Sequence, residues 1–347
     1  MRAVTFRGTH QVAVDEIPEP TILEGADAVV RVHRAAICGS DLHLYHGTIP
    51  GMLPGMTIGH EFVGTVESVG SQVQYLKSGD RVVGTFHIGC GGCPACRRGD
   101  FHQCSQGGVL GYGIAFGNLA GSQADFVRIP HADINLRIIP PSLDWDRALF
   151  CGDILTTAFG AVKNAGVQPG ETVAVIGCGP VGLMVVMSAL VQGAGRVVAI
   201  DRLTERTKRA ESLGAVPLSS EEKNPISAIN QLTQGEGADV VIEAVGGSKT
   251  LEMAFQLVRG GGRISAVGVT AEDTLAYPLM SSLTKDITFR IGVANIHRDI
   301  DETLALVTYG RIDPTVIISH HLPLSRAPEG YRLFAERQAQ KVLLALD

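Results

Sequence analysis

Cys90, Cys93, Cys96 and Cys104 stand in the pattern C-x2-C-x2-C-x7-C. Short C-x2-C steps let the backbone aim successive sulfurs at one point, and Zn2+ takes four such soft donors in a tetrahedron. Gly89, Gly91, Gly92, Pro94 and Gly99 supply the turns. Four thiolates close the shell, so the pattern predicts a structural ion; an iron–sulfur cluster or disulfides fit the spacing less well. A second constellation, Gly177-Cys178-Gly179-Pro180-Val181-Gly182, follows the apolar run Thr172–Ile176. A G-x-G-x-x-G that leaves a strand and opens a helix cradles a pyrophosphate. Gly177 permits the tight turn, Gly179 the close approach of backbone to phosphate, and Gly182 the packing of helix on sheet. The helix N-terminus then offers free N–H groups to the anion. Asp201 lies nineteen positions after Gly182. A carboxylate there accepts the ribose hydroxyls and repels a 2′-phosphate, which favours NAD, although Arg202 and Arg206 could pair with such a phosphate. A third set of donors is scattered through Cys38-Gly39-Ser40-Asp41-Leu42-His43, Gly59-His60-Glu61 and Cys151-Gly152-Asp153. Their types suit an open zinc site, with three protein ligands and one exchangeable position, but spacing alone does not select the ligands.

Positioning these groups requires two kinds of architecture. Residues 1 to about 150 read as β-rich, with short apolar runs such as Ala28–Val32, Glu61–Val69 and Arg81–Phe86 between Gly, Pro and Asp. From about 171 strands and helices alternate: strands at Thr172–Ile176, Arg196–Ile200, Asp239–Glu243 and Arg263–Val267, helices through Val191, Thr204–Leu213 and near Lys249–Val258. Apolar strands alternating with helices imply a parallel sheet covered on both faces, hence an α/β fold. From about 294 the pattern returns to mixed elements.

The 347 residues suit two domains, and 45% apolar against 18% charged residues allows sizeable cores. A net charge of −6 without a basic run argues against a nucleic-acid partner. The longest apolar stretch, Val181–Val191, is too short to cross a bilayer. The N-terminal residues alternate like a strand and lack a signal-peptide core, so a cytoplasmic protein is expected. Seven cysteines then suggest metal ligands before disulfides.

CGSDLH, GHE, the four-cysteine lobe, KSGDRVVG at 77–84 and the glycine fingerprint with Asp201 resemble the zinc-dependent alcohol dehydrogenases of the medium-chain dehydrogenase/reductase family, nearly end to end. The resemblance implies a GroES-like catalytic domain (1–155 and 294–347) with a Rossmann domain (156–293) inserted. It implies two zinc ions per chain, NAD, and hydride transfer from a small or medium apolar alcohol, primary or secondary, to nicotinamide, with polyol or formaldehyde-type chemistry as the alternative. By position, Cys38 and His60 match the first two catalytic zinc ligands. Asp153 matches the third in the aspartate version of the motif, with Cys151 two residues off as its rival. Glu61 matches a carboxylate that can exchange onto the metal, and Asp41 one that orients the ligand histidine. Ser40 and His43 match a proton relay. Thr157 and Val267-Gly268-Val269 match segments beside the nicotinamide, Arg206 a group near the adenosine ribose, and Lys341 one near the pyrophosphate. Phe86 and Tyr112 match pocket walls. Gly39 replaces a basic residue that would touch the pyrophosphate. A homo-oligomer is implied, tetramer before dimer, with Arg263–Val269 expected as an edge strand across its interface.

Overall fold

The computed structural model describes residues 1–346 and divides into two compact units. One is built from Met1–Thr156 and Asn295–Asp347, the other from Thr157–Ala294.

The inserted unit is a six-stranded parallel sheet in the order Val216–Ser219, Arg196–Asp201, Thr172–Ile176, Ala238–Glu243, Val258–Ala266, Thr288–Ile291. Counted along the unit this is the 3-2-1-4-5-6 order of a doubly wound dinucleotide fold, with a switch point beside the first strand. The central strands are near-continuous runs of Val, Ile and Ala, as burial on both faces requires. The helix Pro180–Val191 is apolar almost all round and starts on a proline, whose missing N–H costs nothing at that position. The glycine turn, Asp201 and the segment 267–269 all lie at the C-terminal edge of this sheet.

Arg263–Val269 is not an edge. Its strand is bonded on one side to Ala238–Glu243 and on the other to Thr288–Ile291. The edge on that side, Thr-Phe-Arg-Ile at 288–291, is four residues long and too short for its alternation to be distinguished in sequence.

The other unit carries a seven-stranded sheet with Ala28–Ile37 near its centre. That strand pairs antiparallel with Glu61–Val69 on one side and with Val342–Ala345 on the other, so both ends of the chain build one sheet. Its inward side chains, among them Val30, Val32, Ile37, Phe62 and Leu344, form one core with the fully buried Tyr331 of the helix Ala327–Ala335. Among the described residues no helix is long and apolar enough to cross a membrane.

Candidate active site

Sγ of Cys38, a ring nitrogen of His60 and carboxylate oxygens of Glu61 and Asp153 lie within 4.8 Å of one another, all four residues buried. Each is placed by a turn at the end of an element. Cys38 follows the central strand, and its N–H donates to Asp41 Oδ2 (2.9 Å), which folds 38–41 into a side-chain-closed turn. His60 immediately precedes the strand Glu61–Val69, and Glu61 starts it. Asp153 sits between the turn Phe150–Gly152 and the helix Ile154–Ala165. Gly152 must be glycine here, because a Cβ would meet the Gly84 carbonyl oxygen at 2.3 Å.

The histidine is held from both sides. Nδ1 faces Asp41 Oδ1 at 3.2 Å, while Nε2 faces Asp153 Oδ2 at 3.3 Å and Ser40 Oγ at 3.2 Å. Cys38 Sγ donates to Asp153 Oδ2 at 3.6 Å. Burial opposes a charged imidazole, yet Asp41 and Asp153 hold the His60 proton well above the usual histidine range. Burial alone would raise Asp153, but the hydrogen bond and charge of His60 keep it below the usual carboxylate range. Burial, then the charges of Asp153 and Glu61, push the Cys38 thiol up to about 11. Buried carboxylates hold protons on their neighbours because positive charge is wanted at their centre. A divalent ion supplies that charge and displaces the thiol and imidazolium protons. Glu61 Oε1 is buried without a hydrogen-bond partner among the described residues, a cost a nearby cation would remove. The donor set of Cys38, His60, Glu61 and Asp153 therefore fits zinc. Cys151, the rival third ligand, is fully buried and outside the donor group; burial pushes its thiol up to about 12.

The Lys341 ammonium is fully buried and donates to Glu61 Oε2 and to the Ile37 carbonyl (3.1 Å). The partners are 280 positions apart, which no local pattern could join. Two further residues absent from the sequence reading, Gln123 and Tyr331, stand behind Asp41: Gln123 Nε2 donates to Asp41 Oδ2 (3.2 Å) and Tyr331 Oη to Gln123 Oε1 (2.9 Å).

Phe86 and Tyr112 flank His60 edge-on, with ring centroids 6.1 and 6.0 Å away. Tyr112 Oη donates to the Ser40 carbonyl at 2.9 Å, fixing the segment that carries the Ser40 hydroxyl. His43, on the short helix Asp41–Tyr45, is half-buried, with Nδ1 3.3 Å from Thr48 Oγ1.

The four-cysteine lobe gathers Cys90, Cys93, Cys96 and Cys104 within the same 4.8 Å limit, all as free thiols. The Cys93 N–H donates to Cys90 Sγ and the Cys90 N–H to Cys104 Sγ, each at 3.3 Å. N–H groups of Cys96 and Ser105 pull the Cys93 thiol down to about 6, whereas burial pushes Cys96 up to about 12. Closely packed unbonded sulfurs ringed by N–H donors fit a tetrahedral cation.

In the inserted unit the three fingerprint glycines differ in what surrounds them. Gly177 has φ +93°. A Cβ on Gly182 would lie 1.7 Å from the Gly177 carbonyl oxygen. A Cβ on Gly179 would meet no described atom within 4 Å, so no contact inside the protein demands glycine there, while approach of a ligand does. Pro180 and Val181 open the helix beyond them, half-buried. Asp201 accepts from the N–H groups of Cys178 (2.8 Å) and Leu203 (2.9 Å). Arg206 Nη1 lies 3.9 Å from Asp201 Oδ2, and Arg202 is exposed. Val267 and Gly268 both donate to the Glu243 carbonyl, and Val269 is exposed. Thr157 is half-buried on the helix Ile154–Ala165.

Residues 24–139 match the alcohol dehydrogenase GroES-like domain family and residues 180–308 the zinc-binding dehydrogenase family. The uncharacterized zinc-type alcohol dehydrogenase-like protein AdhB of Bacillus subtilis is 37% identical, with 100% of each chain covered. The alcohol dehydrogenase TADH from Thermus sp. ATN1 is 54% identical and superposes with a TM-score of 0.98, again over 100% of both chains. A chain described as a zinc-binding dehydrogenase from Sinorhizobium meliloti 1021, solved bound to NADP, is 29% identical with a TM-score of 0.89, over 99% of each chain.

Proposed function

Because the chain belongs to the zinc-binding alcohol dehydrogenases of the medium-chain dehydrogenase/reductase family, we propose that it transfers hydride between a small or medium apolar alcohol and NAD, releasing an aldehyde or ketone, NADH and a proton. The observation that carries the reading is the buried group of Cys38, His60, Glu61 and Asp153. Cys38, His60 and Asp153 would hold the catalytic zinc, two of them as anionic ligands. Zinc held there would supply a Lewis acid that lowers the pKa of the alcohol hydroxyl. Cys90, Cys93, Cys96 and Cys104 hold a second zinc and stabilise their lobe.

Ser40 Oγ would take the hydroxyl proton of the substrate while giving up its own towards the nicotinamide ribose. The Tyr112 bond to the Ser40 carbonyl keeps that hydroxyl in place. His43, at the outer end of the relay, passes the proton to solvent. The rings of Phe86 and Tyr112 beside His60 present apolar surface, which suits a hydrocarbon chain better than a charged substrate. NAD binds at Gly177–Gly182, and the carboxylate of Asp201 supports NAD over NADP because it repels a 2′-phosphate.

The test is elemental zinc together with absorbance at the NADH band for a panel of primary, secondary and vicinal alcohols. Two zincs per chain and turnover of apolar alcohols, abolished in His60→Ala, are expected. A single zinc in fully active protein, or undiminished turnover of His60→Ala, would overturn the reading.

A further inference from the structure

A hydrogen-bonded chain runs away from the zinc site into the core. Tyr331 Oη donates to Gln123 Oε1 at 2.9 Å. Gln123 Nε2 spends one N–H on the Ala36 carbonyl (3.0 Å) and the other on Asp41 Oδ2 (3.2 Å). Asp41 Oδ2 also takes the Cys38 N–H, which leaves Oδ1 to face His60 Nδ1. Asp41, Gln123 and Tyr331 are all buried, with 1% or less of each exposed. The amide of Gln123 is therefore fully used, and its orientation is fixed by an acceptor and two donor contacts rather than by packing alone.

The backbone has been shaped around this side chain. Gly59, immediately before His60, has φ +94°, and a Cβ there would meet Gln123 Cγ at 2.3 Å, Cδ at 2.7 Å and Nε2 at 2.9 Å. The glycine that turns the chain into the ligand histidine is also the one that lets the Gln123 amide through.

We infer that Gln123 and Tyr331 are positioning residues of the open metal site, acting through Asp41 to keep the His60 proton on Nδ1 and the Nε2 lone pair towards the ion. With both N–H donors on Oδ2, Oδ1 is left 3.2 Å from Nδ1, and each of these two buried atoms has no other partner among the described residues; a neutral, metal-bound ring that donates from Nδ1 to Oδ1 offers Nε2 unprotonated on its other side. Without the Gln123 donor Asp41 Oδ2 keeps only the Cys38 N–H, and the carboxylate holds the ring's tautomer and angle less firmly. Tyr331 holds Gln123 against the flip that would aim a carbonyl oxygen at a carboxylate.

The inference rests on the zinc site proposed above, and the experiment separates the two. Gln123→Met and Tyr331→Phe are prepared with zinc loaded, challenged with EDTA, and the loss of each zinc per chain is followed with a chromogenic indicator. The zinc of the four-cysteine lobe in the same chain serves as internal reference, since a general loosening of the fold speeds release from both sites. Gln123→Met is expected to weaken the open site by about 10- to 100-fold, the range for partners that orient metal-bound histidines. Tyr331→Phe should give a smaller shift in the same direction, and release from the four-cysteine lobe should match wild type in both. Tyr331→Phe removes one oxygen and carries the test if Gln123→Met fails to fold. Equal release of the open-site zinc from wild type and both variants would overturn the inference while leaving the zinc site intact. Equal acceleration at both sites would reduce these residues to core packing and overturn it too. A wild-type chain that never holds a second zinc would remove the site itself.

Discussion

The buried pair of Lys341 and Glu61 invites a double-variant cycle. Lys341 is 0% and Glu61 1% exposed at the side chain, and the contact is direct at 2.5 Å. Lys341→Met leaves the Glu61 carboxylate in the core without its counter-charge, and removes the bond to the Ile37 carbonyl. Removing one partner of such a pair costs about 3–5 kcal/mol, whereas replacing both by apolar groups of similar volume is near neutral or favourable. For a unit of this size each kcal/mol moves the melting temperature by about 2–4 °C, so Lys341→Met should melt roughly 6–20 °C lower. Glu61→Leu/Lys341→Met should recover most of that loss. The assay is thermal unfolding followed by near-UV circular dichroism at pH 8 on zinc-loaded protein, at two salt concentrations. Salt should change little, because screening barely reaches a buried pair. A single variant melting within about 2 °C of wild type, or a double variant no better than the single one, would refute the argument that charge compensation, rather than methylene packing, is what Lys341 provides.

Two other outcomes follow from the site's electrostatics. Asp201→Ser removes the carboxylate at the end of the second Rossmann strand, so kcat/KM for NADP relative to NAD should rise by about 10- to 100-fold, the value of one charge-assisted contact; an unchanged ratio would place discrimination elsewhere. Burial lowers the His87 pKa from 6.5 to about 4, with the charge of His102 adding to the effect. A histidine depressed in the folded state contributes stability that is complete above 6.5 and is lost as pH falls towards 4, a loss of about 3 kcal/mol over that window. His87→Phe should therefore flatten the melting temperature between pH 7 and 4.5, and parallel curves for variant and wild type would contradict it.

The parts of this molecule legible in its sequence were those whose signal is local. Thr172–Ile176 and Ala238–Glu243 are buried on both faces and so read as unbroken apolar runs. The fingerprint glycines and the four cysteines are each bound by a turn geometry that needs those residues at that spacing. The open site is different: Cys38 and Asp153 are 115 positions apart, and only family resemblance brought them together. Cys151 and Asp153, two positions apart, could be ranked only by alignment; their separation into a packed thiol and a member of the donor group depends on the turn Phe150–Gly152. The pairing of Lys341 with Glu61 is not legible because the partner lies on a distant strand, and Gln123 and Tyr331 give no local sign at all. A glutamine before a strand and a tyrosine in a helix are ordinary until the fold places them behind Asp41. The edge strand was misassigned for the opposite reason: Arg263–Val269 has a strong apolar pattern because it is interior.

The pairing of Ala28–Ile37 with Val342–Ala345 has a bearing on biosynthesis. Ile37 emerges from the ribosome 304 residues before Lys341, the side chain that caps its carbonyl. The inserted unit, whose strands are contiguous in sequence, can close while the tail is still being translated, since domains fold as units in order of synthesis. The first half must wait, its sheet open on one side, until the last strand arrives, and a nascent chain stalled shortly before Lys341 should expose that unpaired edge to chaperones.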